Sequence, residues 1–435
     1  MKRKIIFFFL LIIFSQVKGE KKLVIISPHW EGVKIEITRA FCEWYEKNYK
    51  EKVKIEWIDQ GGTSDDLKYV ESLFKKTPDG IGIDLFFGGG LSPYLKLKSE
   101  GLLEKYKLTQ NTLKRIPKTC AGIPIYDTEF YWYGVVLSGF GILYNKKALK
   151  FLNLPVAMTW KDLGDTRYYS LIGAADPRHS GSMHMMYEII LQAYGWEEGW
   201  RTIFSIAGNT KNFSTSASEV ARETVIGEAV LSLCIDSYAL AQIEVNGKEN
   251  MGFVFPESET VINPDCIGIL KGAPNIEVAK KFIDFLFTYE GQLLWIQKKG
   301  KKGGPKEYSL NRFPVMPEVY NEPDLEVDIN PYKIQNTLKY DFQLATNRWN
   351  LIDDMIGCFV IDCHNELKKA WYLISKKNDR ILKEKFYEIP VDKKIQRFLW
   401  ENWKDPIFRN KYINEWTDFS VKKFRNLIVE SKFLM

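Results

Sequence analysis

The chain has 435 residues, 45% hydrophobic and 27% charged, enough for a large core and about two domains. Lysine and arginine number 61 against 55 aspartate and glutamate, a formal net charge of +6. So small a surplus argues against a strongly basic chain built to bind nucleic acid.

Met1 to Phe14 reads MKRKIIFFFLLIIF, a basic start followed by ten apolar residues. SQVKG follows, with Val17 and Gly19 at the −3 and −1 positions of a cut before Glu20. Residues 1–19 therefore read as a secretory signal peptide, and an uncleaved anchor is the alternative. The apolar run is too short to span a bilayer as a stable helix. Loss of Lys2, Arg3, Lys4 and Lys18 takes the net charge from +6 to +2. No later stretch is long and apolar enough to be read as a span. Cys42, Cys120, Cys234, Cys266, Cys358 and Cys363 contain no C-x-x-C pair, so zinc and thioredoxin-like readings are weak. An exported chain permits disulfides, but no pairing follows from the spacing.

Leu23 to Ile26 is apolar and β-branched, a strand that Ser27-Pro28 ends. A helix follows to about Tyr49, then a period-two strand over Val53 to Asp59. In GGTSDDLKYVESLFKK a turn leads into a helix, with Thr63 or Ser64 the N-cap candidate and Asp65 and Asp66 in the first turn. GIDLFFGGG is a buried strand that runs into Gly88 to Gly90. Strand, helix, strand, helix predicts a parallel sheet, whose ligands gather beyond the strand C-termini. His29-Trp30, Gly61 to Ser64 and Gly88 to Gly90 are three such loops. Tyr131 to Tyr144 is one long β-rich stretch interrupted by glycines, as a chain leaving one lobe for another needs.

ADPRHSGSMHMMYEIILQAYG follows a short helix for which Thr159 is the N-cap candidate. Met183, Met186, Tyr187, Ile190, Leu191 and Tyr194 lie on one face of a helix. A helix start offers unpaired N–H groups and a partial positive charge. Ser180, Gly181 and Ser182 can therefore hold an anion, with Arg178 pairing to a phosphate or carboxylate. The plainer reading is simple capping by Ser180 or Ser182, with the histidines in solvent. NMGFVFPESETVINPDCIGILKG is a second extended run that carries the chain back, and Asn275 signals another helix start. From about residue 325 the pattern is mostly helical, and no flexible linker or repeat is visible.

These stretches together resemble the ABC-transporter extracellular solute-binding proteins, in the group of the ferric-ion-binding proteins. The matching segments include ISPHWEG, GGTSDDL, FFGGG, GFGILYNKKAL, ADPRHSGS, AGNTKNFSTSASEVA, GEAVL and FLFTYEGQ, spread over roughly residues 22–320. The resemblance implies an α/β fold: a two-lobed periplasmic-binding-protein clamshell of type 2. Two strand crossings form its hinge, near Val135 to Phe140 and Gly252 to Pro256, and extra C-terminal helices follow. It places residues 20–137 and 256–435 in the first lobe, with the C-terminal helices, and 138–255 in the second. It implies a periplasmic monomer that catalyses nothing, captures a small polar, anionic organic solute and delivers it to membrane permease subunits. No cofactor, metal or nucleic-acid partner is expected.

The candidate ligand-binding residues are His29, Thr63, Ser64, Gly89, Gly90, Arg178, Ser180, Gly181, Ser182, Asp236 and Tyr238. Trp30, Trp132 and Tyr133 are candidates for the cleft wall by position alone. Asp65 and Asp66 already answer the dipole of their helix, so Thr63 and Ser64 suit a polar contact better than an anion. Ferric-binding relatives carry adjacent tyrosines near Asp236-Ser237-Tyr238, where only Tyr238 stands here, and that puts bare iron in doubt. A structural role for Asp236, ending a strand and capping the next helix, competes with ligand contact. Two alternatives remain open at this level: a ferric or other metal-ion binder of the same fold, and a secreted hydrolase. Against the hydrolase, the chain has no G-x-S-x-G or H-E-x-x-H.

Overall fold

The structure, a computed structural model, describes residues 20–325, 329–334, 338–377 and 379–433. The expected signal peptide at 1–19 lies outside the described residues. The chain opens as β1 (Lys21–Ile26), α1 (Glu31–Tyr49), β2 (Val53–Ile58), α2 (Thr63–Lys76), β3 (Leu85–Phe87) and α3 (Ser92–Ser99). The three strands run parallel with β1 in the middle, as the predicted alternation requires. Gly62, not Thr63 or Ser64, takes the N-cap position of α2, and both hydroxyl residues sit buried inside its first turn.

Short strands β4 (Leu103–Glu104), β5 (Thr119–Cys120) and β6 (Ile123–Pro124), with α4 (Gln110–Arg115), lead to β7 (Tyr133–Asn145). A second half follows: α5 (Lys146–Phe151), β8 (Ile172–Ala175), α6 (Gly181–Tyr194), α7 (Trp196–Asn209), β9 (Thr210–Ser214), α8 (Ala217–Val225), β10 (Leu231–Ile235), α9 (Asp236–Asn246) and β11 (Met251–Val254). The chain returns through β12 (Ile262–Leu270) to α10 (Ile276–Leu286), α11 (Tyr289–Ile296) and β13 (Phe313–Pro314).

The order β2-β1-β3-β12-β7-β10-β8-β9 shows how two half-sheets are joined. Tyr133 to Gly139 of β7 pair with β12, and Phe140 to Tyr144 of the same strand pair with β10. β7 is thus the outward crossing. The return falls between β11, paired to the second half of β7, and β12, paired to the first, so it lies over residues 255–261. Leu23, Ile25, Val33, Ile37, Phe41, Phe87, Phe282 and Trp295 fill a core on one face of the first half-sheet.

The C-terminal region is helical, as expected: α12 (Phe342–Ile356), a π-helical turn, α13 (His364–Lys377), α14 (Arg380–Tyr387), α15 (Gln396–Asn402) and α16 (Pro406–Phe433). Its placement differs from the sequence reading, which put these helices on the first lobe. They pack chiefly on α6 and α7 of the second. Trp200 meets Phe359 at 5.6 Å between ring centroids, and Phe204 meets Phe386 at 5.9 Å. Trp196 Nε1 donates to the Val391 carbonyl at 3.2 Å. The reason lies in α6 and α7. Beyond the predicted face, Met185, Glu188 and Ile189 of α6 are also buried, and α7 buries ten of its residues. Apolar surface left on two sides of a helix must find a second cover. Among the described residues no helix is long and apolar enough to cross a membrane, and all six cysteines are free.

Arg348 of α12 anchors this layer. Its Nη2 lies 2.7 Å from Glu188 Oε1, and both side chains are buried. Arg348→Met leaves Glu188 buried without its cation. Urea denaturation should show a loss of about 3 kcal/mol, the usual cost of orphaning a buried charge.

Candidate functional site

The two half-sheets meet over a cleft of about 280 Å³ lined from both sides. The first lobe contributes His29, Trp30, Gly62, Thr63, Gly89, Gly90, Asn263, Asp265 and Arg312. The second contributes Ser180, Gly181, Ser182, Ser216, Ser218 and Tyr238. Strand ends and helix starts position most of them, while Asp265 lies within β12 and Arg312 just before β13. His29 follows β1, Thr63 opens α2, and Gly89 and Gly90 follow β3.

The floor is a charged network. His29 Nδ1 lies 2.9 Å from Ser27 Oγ, and His29 Nε2 lies 2.9 Å from Asp265 Oδ2. The Ser27 hydroxyl also accepts from the His29 N–H. Together these contacts assign a neutral ring with its proton on Nε2. Burial favours that neutral form and holds the His29 pKa below its usual value, against the pull of Asp265. Arg312 Nη1 donates to the same Asp265 oxygen at 2.8 Å, and Gly90 N–H donates to the other at 3.1 Å. Burial alone would raise the Asp265 carboxyl; His29, Arg312 and these bonds hold it well below the usual carboxylate range. Arg312 Nε and Asn263 Oδ1 are buried with no hydrogen-bond partner among the described residues.

Glycine is required at the β3 turn. Gly88, Gly89 and Gly90 have φ of +100°, +84° and +79°, and a methyl on Gly89 would sit 2.4 Å from Thr63. Gly62 is needed for space. A methyl there would lie 2.2 Å from the His179 carbonyl oxygen, across the cleft mouth.

On the facing wall, Ser180 caps α6 by accepting from Met183 N–H at 3.4 Å, and Ser216 caps α8 by accepting from Glu219 N–H at 3.3 Å. The first turn of α6 carries no acidic residue. Its amide ends and dipole are left to whatever enters the cleft.

Three sequence candidates stand elsewhere. Arg178 is tied to Asp176 at 2.6 Å and to Asp362 at 2.9 Å, facing a separate cavity against the C-terminal helices. A guanidinium already answered by two carboxylates has no fork left for a cleft ligand. Ser64 is buried and accepts from Trp349 Nε1 at 3.3 Å. Asp236 does not line the cleft. It is the first residue of α9, where its carboxylate accepts from Gly139 N–H and Ser237 N–H, each at 2.6 Å. Burial lifts its carboxyl to about 7, against those two bonds. It tethers the crossing strand. Of the wall candidates, Trp30 lines the cleft, while Trp132 and Tyr133 are buried in the core. His184 is not in solvent: it is fully buried, with Nδ1 2.7 Å from Asp353 Oδ1.

Asp265 and Arg312 escaped the sequence reading because neither belongs to a loop after an early strand. Asp265 lies on the return strand β12, and Arg312 lies just before β13. Ser216 and Ser218 were not singled out either, although they stand at the start of α8 in a stretch, STSAS, whose serines mark a helix start.

A Ser–His–Asp chain is present in Ser27, His29 and Asp265, but Ser27 is fully buried and does not line the cleft. The Ser27 hydroxyl is therefore not presented to the cleft. The carboxylates that line the cleft are paired, Asp265 as described and Asp59 with Lys34 at 2.7 Å. Burial pushes the Tyr238 phenol above its usual pKa, which disfavours the phenolate a ferric ion would want.

The family profile of the bacterial extracellular solute-binding proteins matches residues 77–319, and the chain belongs to that family. The phosphoglycerate transport regulatory protein PgtC of Salmonella typhimurium is 26% identical over 265 residues, 59% of this chain. That match spans 62% of PgtC. An uncharacterized protein of Haemophilus influenzae is 30% identical over 60% of this chain and 73% of its own length. Among solved structures, the periplasmic binding protein AfuA of Actinobacillus pleuropneumoniae, with fructose-6-phosphate bound, superposes with a TM-score of 0.64. The match has 21% identity and covers 79% of this chain and 99% of AfuA. The apo ferric ion-binding protein A of Pasteurella haemolytica has a TM-score of 0.60 at 15% identity, over 78% and 97% of the two chains. The fold is that of the type 2 periplasmic binding proteins.

Asp265→Asn removes the carboxylate that balances buried Arg312. It should cost about 3 kcal/mol in urea denaturation near pH 7. A carboxyl whose folded pKa is depressed stabilises fully above its unfolded value and loses that contribution as pH falls toward the folded value. The gap between wild type and variant should therefore shrink when the denaturation is repeated at about pH 3.5.

Proposed function

We propose that this chain is the extracytoplasmic capture component of an ABC importer for a small organic anion bearing a phosphate or carboxylate group. The observation that carries the reading is the pairing across one cleft. A buried arginine with an unpartnered Nε stands on the first lobe, and the uncompensated start of α6 stands on the second. Backbone N–H groups at a helix start suit an anion, and a guanidinium adds a charge-assisted bond. Ser180, Ser182, Ser216 and Ser218 supply further donors, and His29, Asn263 and Tyr238 suit hydroxyl groups on the remainder of the solute. The names of PgtC and of the fructose-6-phosphate complex lean toward a phosphorylated compound.

Contact with both lobes is what makes capture work. A solute that touches both binds the closed form better than the open one, and only that difference shifts the balance. Export by a signal peptide would place this capture in the periplasm, beside a permease that accepts the loaded form.

Isothermal titration with 3-phosphoglycerate, glucose 6-phosphate and their unphosphorylated parents tests the reading, with ferric citrate as the contrasting ligand. A phosphorylated compound should bind and its parent should not. Arg312→Gln should weaken that binding about 10- to 100-fold, as loss of a charged hydrogen bond at about 1.5–3 kcal/mol implies. Ser180→Ala combined with Ser182→Ala should weaken it while leaving the far-ultraviolet circular dichroism unchanged. Binding of ferric ion alone, with a phenolate-to-iron absorption band, would overturn the reading.

A further inference from the structure

We propose that Trp349 is a positioning residue of the cleft, and that the C-terminal helices carrying it brace the two lobes in the closed arrangement. The C-terminal helices lie beyond the residues that the family profile matches, which end at 319.

Trp349 sits on α12 between two helix starts that face each other across the cleft mouth. On the second-lobe side its ring stacks on His184 of α6, with centroids 3.7 Å apart and planes at 13°. On the first-lobe side its Nε1–H donates to Ser64 in the first turn of α2 at 3.3 Å. The neighbouring residues Thr63, Gly181 and Ser182 line the cleft. The same two helix starts touch directly. A methyl on Gly62 would lie 2.2 Å from the His179 carbonyl oxygen, and His179 Nδ1 is 3.6 Å from Asp65 Oδ2.

The two attachments are unequal. α12 is held to the second lobe by the buried Arg348–Glu188 pair and by Asp353 on His184, and the next turn by Asp362 on Arg178. On the first lobe α12 packs along α3 and bonds Ser64 through Trp349, and the segment after α15 adds an exposed ion pair, Lys404 with Glu100 at 3.5 Å, in place of buried ones. Apolar contact is nevertheless continuous. One cluster of buried side chains runs from Val70 and Phe74 of α2 and Tyr94 and Leu97 of α3 to Leu351, Ile352 and Met355 of α12, and on into α6 and α7. Opening the cleft separates α3 from α12 and wets that surface, at about 25 cal/mol for each Å² exposed. The helices are thus fixed to the second lobe and latched on the first. Lobes joined only by two crossing strands are free to gape without solute; these are held.

The test needs no solute, so its outcome is separate from that of the reading above. Small-angle X-ray scattering of the solute-free full chain should fit the closed arrangement. Trp349→Ala should raise the radius of gyration while unfolding remains cooperative. Hydrogen exchange of the first-turn amides of α2 and α6 should accelerate about tenfold, the change given by roughly 1.4 kcal/mol of lost contact energy. Leu97→Ala, on the α3 side of the latch and away from the cleft, should act in the same direction. Should either variant fail to fold, wild-type exchange decides alone: slow exchange of those amides without solute supports the brace, and rapid exchange overturns it. An open solute-free wild type, or folded variants with unchanged scattering and exchange, would also overturn it.

Discussion

The cleft exists because one strand belongs to two half-sheets. β7 runs for 13 residues, pairing with β12 over its first part and with β10 over its second. A sheet cannot part from a strand without breaking ladder bonds, so the lobes stay joined along β7 and can separate only beyond it. The strand ends and helix starts that line the cleft are carried on either side of that shared strand. Asp236 reinforces the junction by taking the Gly139 N–H from the start of α9.

Asp265 and Arg312 reach the cleft as a consequence. β12 is the return partner of β7, so an inward residue on it faces the floor. β13 also pairs with β7, and Arg312 sits beside it. The floor therefore carries a carboxylate whose charge is already spent on His29 and Arg312, and a guanidinium only partly satisfied. Opposite it stand serine hydroxyls and amides. The polarity of the cleft, donor-rich with its acids neutralised, follows from the order of strands rather than from any local motif.

The C-terminal helices change what kind of clamshell this is. α6 and α7 are apolar on more than one side, and covering them draws about the last hundred residues onto the second lobe. α12 then lies in the angle between the lobes and touches both. Arg178 and Ser64 are absorbed by this arrangement, the first into ion pairs with Asp176 and Asp362, the second under Trp349. Both look like ligand residues in the sequence because nothing local announces the helices that claim them.

Much of the fold is legible in local pattern. Period-two and apolar runs place β1, β2, β3 and β7, the 3.6-residue period places α6, and serines at helix starts place the facing wall of the cleft. Those features depend on backbone geometry and on neighbours within a few residues, which a sequence carries directly. Partners 47 to 285 positions apart are another matter. The network of His29, Asp265 and Arg312, the withdrawal of Arg178, Ser64 and Asp236 from the cleft, and the lobe on which the C-terminal helices lie were decided only by the tertiary structure. A side chain's charge can be answered by any opposite charge that folding brings near, and an apolar face by any other, and the chain's local order does not say which.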